Sequence, residues 1–236
     1  MATNEKLIID VFNEMKEYKP ALAKYLVVDE DDEDEEEVDY RILGDLLIKN
    51  FPWPIGIEMR RLFSASMREL DRKRLDQIFK TIERTMQFLS FVMIAQLWKD
   101  KVEKDLKIPD SLKNDFANRF AVLSMGNYTW LIRTIGSFYE KEGLEWFMPE
   151  MNEKLNKKFF NSLDFWVPER NEIGHYQINL TQEDIEKRCT EYEEKLTYIL
   201  KQITFLAKYK LVSVRNIRVV KNRMHDAEFH HVIDLL

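Results

Sequence analysis

The 236 residues suffice for one large domain, or one domain and a smaller second unit, and a content of 45% hydrophobic and 33% charged residues excludes a wholly disordered chain. Six glycines and six prolines are too few for the turns of an all-β sandwich or barrel, and a single cysteine, Cys189, excludes an intramolecular disulfide and any multi-cysteine metal site. The formal charge of −6 is local: Asp29 to Glu37 are nine consecutive acids followed by Asp39, and the remainder holds 32 acidic against 36 basic residues, so a mildly basic body carries an acidic insert.

A first amphipathic helix is expected over Lys6 to Tyr18, where Leu7, Ile8, Val11, Phe12 and Met15 recur at spacings of three and four, and Pro20 bends or ends it. The acid run reads as a solvated loop, since charges this dense repel, or as an internal polyanion shielding a basic surface from nucleic acid. It lacks the glycine and alternating ligands of a calcium loop. Tyr40, Leu43, Leu46 and Leu47 line a second helix, Phe51-Pro52-Trp53-Pro54 is a rigid break, and Ile55 to Ser66 reads as helical. The longest periodic stretch runs from Glu69 to Lys99, with Leu75, Ile78, Phe79, Ile82, Met86, Leu89, Met93, Leu97 and Trp98 as a wide apolar stripe and Arg72, Lys73 and Arg74 in its first turns. After a polar linker from Asp100 to Asp110 come helices near Ser111 to Phe120 and Tyr128 to Lys141, the latter stopped by Gly143, and one or two short helices between Glu145 and Ser162. Thr181 and Asp184 resemble a capping box opening a long helix to about Lys208, with Cys189 on its inward stripe as a small core residue. From Leu211 to Val220 the chain is β-branched and roughly alternating, which predicts one or two strands.

The expected architecture is therefore all-α: a multi-helix bundle with a long central helix and a short β-leaning C-terminal tail. It divides into N-terminal helices with the acidic insert (1–50, insert 29–39), a helical domain (51–208) and a strand-like tail (209–236). The tail is either a small appended unit or the start of a further domain. No run of about 18 apolar residues occurs, so no transmembrane helix is expected, and Met1 to Lys6 lacks a signal-peptide core, which makes the cytosol the default compartment.

Chemistry must come from few residues. The four histidines are His175, His225, His230 and His231, and there is no nucleophile elbow, no glycine-rich phosphate loop and no His-Glu-x-x-His. His225, Asp226, Glu228, His230 and His231 form a metal-ligand candidate at the end of the chain, where chains fray, so no metal site is assigned. Pro168-Glu169-Arg170-Asn171-Glu172-Ile173-Gly174-His175 is more specific. Pro168 and Glu169 suit the first turn of a helix, Asn171 and His175 share a face at four residues' spacing, and Arg170 can swing toward them. A guanidinium, an amide and an imidazole within reach of one small anion suit a phosphodiester.

This Arg170-Asn171 pair with His175, between helices of an all-helical chain, resembles the HEPN superfamily of helical ribonucleases and nucleotide-binding modules. The likeness covers roughly Phe51 to Lys208; the run from Pro54 to Trp98, with Arg60 and Arg61, is similar to the leading helices of bacterial HEPN-containing proteins. A tyrosine that some family toxins carry two residues after the histidine is here Gln177, and its role is not carried over. The resemblance implies a metal-independent endoribonuclease without cofactor that cleaves RNA by 2′-hydroxyl attack, acting in the cytosol as a bacterial toxin or antiviral defence component. His175 would be base or acid, Arg170 would stabilise charge on the phosphoryl oxygens, and Asn171 would orient either. It further implies a homodimer with two motifs facing across one groove, and RNA tracked by Arg60, Arg61, Arg68, Arg72, Lys73 and Arg74. The alternative is a non-catalytic HEPN-like dimerisation, interaction or sensor module of a larger protein or defence complex.

Overall fold

The computed structural model describes residues 4–26, 38–175, 180–221 and 224–235, apart from the side chains of 174 and 175; the acidic run at 29–37 lies outside them. The architecture is the all-α bundle with a short β tail that the periodicities imply. In chain order the helices are α1 (Glu5–Tyr18), α2 (Tyr40–Asn50), α3 (Trp53–Leu62), α4 (Arg72–Glu103), α5 (Asp110–Phe120) and α6 (Met125–Glu142). There follow α7 (Glu150–Lys154), α8 (Lys157–Leu163), α9 (Trp166–His175) and α10 (Gln182–Gln202), then the strands β1 (Val212–Val220) and β2 (Glu228–Leu235).

α4 is the axis. Its 32 residues extend roughly 48 Å, Asp71 caps its start by accepting the Arg74 amide at 2.9 Å, and α3, α6 and α10 pack along it. α1 leans on α2 and α10, so residues before and after Phe51 share one core that runs from Leu7 through Leu47, Ile82 and Ile135 to Leu200. The close approach of α3 to α2 needs Gly56: a Cβ there would sit 2.4 Å from the Ile48 carbonyl oxygen. Gly143, with φ of 63°, stops α6 as expected. The capping box of α10 is also present, with the Asp184 amide donating to Thr181 Oγ1 and the Thr181 amide to Asp184 Oδ2, both at 3.2 Å.

Two expectations about helix ends are corrected. α4 continues to Glu103, and Trp98, expected on the apolar stripe, is 62% exposed with Lys101 Nζ 4.5 Å from its ring centre, because no helix of the described residues covers that side of the end of α4. α10 ends six residues before Lys208, and a 3-10 turn (Thr204–Lys208) follows. The reason is local. Ile203, Thr204, Phe205, Leu206 and Ala207 are all buried, and an α-helix cannot turn five consecutive residues inward unless it is enclosed on all sides.

Between α4 and α6, the Tyr139 hydroxyl donates to Asp100 Oδ2 at 2.7 Å, Lys104 Nζ lies 2.8 Å from Oδ1, and Trp146 stacks on Tyr139 at 4.0 Å. Burial pushes the Asp100 carboxyl up, but the bonds from Lys104 and Tyr139 outweigh it and hold it below its ordinary value. A carboxyl depressed in the folded state stabilises the fold above its unfolded pKa of about 3.9, and that contribution is lost as pH falls through the folded value. The loss in melting temperature between pH 6 and pH 2.5 is therefore expected to be smaller in Tyr139→Phe than in the parent protein, with the variant already less stable at pH 6.

β1 and β2 form an antiparallel hairpin. His230 and His231 are adjacent on β2 and so project to opposite faces, which splits the tail's candidate ligand set. Among the described residues no three His, Cys, Asp or Glu side chains converge on a metal position. Nor is any helix of the described residues long and apolar enough to cross a membrane.

Candidate nucleic-acid interface

The motif lies on α9, and two clusters hold that helix. Trp166, fully buried at its start, meets Phe79 of α4 and Tyr192 of α10 edge-on, each at 5.9 Å between ring centres. On the following turns Arg188 of α10 reaches Glu169 at 3.2 Å and Glu172 at 2.6 Å, while the Tyr192 hydroxyl also donates to Glu169. Burial, reinforced by that carboxylate, pushes the Tyr192 phenol far up, so it stays a donor. Both glutamates beside Arg170 are thus occupied by Arg188.

Arg170 is left facing α4, half exposed, with its guanidinium 3.5 Å from Glu83. Asn171 is exposed one position on, and Ile173 is buried against α4. His175 closes α9, and its side chain lies outside the described residues, as does Gln177. Beside Arg170 opens a cavity of about 260 Å³ walled by Arg72, Asp76, Lys80 and Glu83. Lys80 and Glu83 also wall the next depression, about 440 Å³, with Arg61, Arg84, Gln87 and Tyr128. Arg61, Arg84 and Gln87 carry on into a third of about 520 Å³, floored by Trp53, Ile57, Phe88 and Phe91. The three depressions share walls and make one groove along α4. Arg72, Asp76, Lys80, Arg84, Gln87 and Phe91 recur at intervals of three or four on that helix, so one stripe lines it over roughly 28 Å.

The groove is cationic at one end and aromatic at the other. Arg72 pairs with Asp76 and Arg61 with Glu58, each at 2.9 Å, while Lys80 has no ion-pair partner among the described residues and Arg84 donates only to the neutral Gln87 amide. Burial, aided by the Glu83 charge, pushes the Tyr128 phenol up, and its oxygen accepts from Gln87 Nε2 at 3.0 Å. Such a surface offers point charges and forks to phosphates and ring faces to bases.

The sequence-derived basic residues separate sharply here. Arg61, Arg72 and Arg170 line the groove. Arg60, Arg68 and Lys73 are exposed but lie off it. Arg74 is a correction: it is fully buried, donating to the Met67 carbonyl at 2.6 Å, to Asn4 Oδ1 at 2.7 Å and to Glu193, so its charge ties the fold together and meets no polyanion. Lys80, Arg84 and Tyr128 were missed. The signal was present for the first two, since they fall two and three turns after Arg72 on the polar side of the long periodic stretch. Cys189 is buried on α10, where burial pushes its thiol up to about 11, so it is a packed thiol without thiolate character. Comparison with family models, curated proteins and solved structures finds no match to this chain.

Proposed function

We propose that this protein is a metal-independent endoribonuclease of the HEPN type, binding single-stranded RNA along the α4 groove and cutting it at Arg170, Asn171 and His175. The observation that carries the reading is that Arg170 opens onto a groove where Arg72 and Lys80 stand beside it and aromatic rings follow. Phosphates would be held by Arg72, Lys80 and Arg84, with bases stacked on Trp53 and Phe91, each stacking contact worth about 1–3 kcal/mol in single-strand binders. In the reaction the ribose 2′-oxygen attacks the adjacent phosphorus and the bond to the 5′-oxygen breaks, leaving a 2′,3′-cyclic phosphate and a 5′-hydroxyl. His175 would move a proton off the nucleophile or onto the leaving oxygen, Arg170 would exchange Glu83 for the phosphoryl oxygens, and Asn171 would orient the pair. Such an enzyme would act in the cytosol, as a dimeric toxin or antiviral defence component.

The test is cleavage of mixed RNA in the presence of EDTA. Cleavage is expected to persist in chelator and to fall at least about 10²-fold in His175→Ala. Lys80→Ala with Arg84→Ala is expected to weaken RNA binding and to flatten its dependence on log salt by about two phosphate contacts. Undiminished cleavage in His175→Ala, or cleavage only after metal is added, overturns the reading. The Arg170–Glu83 pair favours a second one, a non-catalytic RNA-binding or sensor module. In that case RNA binds the groove with the same salt dependence and remains intact.

A further inference from the structure

Every residue of both hairpin strands is exposed, so among the described residues no helix covers either face. Opposed residues share a face in an antiparallel pair, and here Val212 opposes Leu235, Val214 opposes Ile233, Ile217 opposes His231 and Val219 opposes Phe229. A register shift between Val214 and Asn216 inserts one extra residue, Arg215, into β1. That shift reverses the alternation. Without it Ile217 and Val219 would fall on the face opposite Val212 and Val214, and with it all four lie together. One face therefore carries seven large apolar side chains, each 37–66% exposed, with His231 as its only polar group. The other carries Ser213, Asn216, Arg218, Glu228, His230 and Asp234, with only Val220 and Val232 as apolar side chains.

We propose that the apolar face is where a second copy of this chain docks, hairpin on hairpin, to form a small two-layer β-sandwich. Two strands alone are marginal in water, whereas a second apolar layer about 10 Å away completes a core. The exposed area of the seven side chains is on the order of 600 Å² per chain, so covering one face with its copy removes about twice that from water, the size of a stable complex. The choice of partner follows from chemistry. The face bears no carboxylate, lysine or arginine, so it selects no complementary charge, and an identical face matches it row for row about a two-fold axis. Arg218, Glu228 and Asp234 stay on the outside, in water. This contact differs from the motif-to-motif dimer of the ribonuclease reading, and the hairpin variants below separate the two, because a dimer held by facing motifs survives aspartates in the hairpin.

Sedimentation velocity on the full chain tests it. The parent protein is expected to be a dimer. Ile217→Asp with Ile233→Asp is expected to weaken association at least tenfold, with the helical circular dichroism unchanged. Ser213→Asp with Asn216→Asp, on the polar face, is expected to remain dimeric, and His231→Val is expected to tighten the dimer several-fold by removing the one group that must lose water. A parent protein that is monomeric at every concentration overturns the proposal, as does a dimer that survives both aspartates. Monomers that sediment with phosphatidylcholine vesicles overturn it in favour of a lipid surface.

Discussion

Replacing Arg74 by methionine is expected to lower the unfolding free energy by about 3–5 kcal/mol, the range for breaking a buried ion pair from one side. The arginine is fully buried, and its guanidinium joins three parts of the chain: Asn4 before α1, the Met67 carbonyl before α4, and Glu193 on α10. Methionine fills much of the volume but leaves the Glu193 carboxylate, itself mostly covered, without its cation. Glu193→Met alone is expected to be costly for the converse reason. The double variant Arg74→Met with Glu193→Met is expected to lose clearly less than the sum of the two, because two apolar groups replace two opposite charges together. Urea unfolding of the four proteins measures this. RNA affinity of the folded Arg74→Met protein is expected to be unchanged, and a fall in that affinity would return Arg74 to the binding surface.

Trp166→Ala is expected to lower stability by about 3–5 kcal/mol as well, the range for emptying a large aromatic site in a core. Trp166 packs against Phe79, Phe165 and Tyr192 with ring centres 5.4–5.9 Å away, and Phe79 meets Tyr192 in turn, so its loss opens the joint between α4, α9 and α10. The consequence reaches the site, since this joint holds α9 at the angle that sets Arg170 beside Glu83. Trp166→Phe provides the contrast. The indole Nε1 has no hydrogen-bond partner among the described residues, so phenylalanine forfeits no bond and is expected to cost well under half as much. Thermal unfolding ranks the two variants. Equal losses would mean that the part of the indole that phenylalanine lacks, its N–H and second ring, carries the whole effect.

The bundle was readable because its signals are local. Leu75, Ile78, Ile82, Met86, Leu89 and Met93 repeat at helical spacing and are all buried, and the stops at Gly143 and the start at Thr181 use side-chain and backbone chemistry within four residues. The errors fall where the deciding contact is distant. Trp98 continues the apolar pattern of α4 but is left 62% exposed, and Ile203 to Ala207 leave the helical path as a buried run, with α1 packed on the 3-10 turn that holds Thr204 to Ala207. Arg72 and Arg74 show the same limit within one helical turn. They are two residues apart and chemically identical, yet one walls an open groove and the other is the best-buried cation of the described residues.

By itself, then, the sequence determined which segments are helical, where most of them begin and end, and that a strand-forming tail follows, since each of these depends on neighbours within a few positions along the chain. Only the tertiary structure decided which arginines face solvent, that Glu83 and not Glu169 or Glu172 meets Arg170, that three shallow depressions join along α4, and that one extra residue in β1 gathers seven of the hairpin's nine large apolar side chains on a single face. These depend on pairings between residues far apart in the chain, 119 positions for Arg74 with Glu193, and burial or charge at such distances is set by how the helices pack.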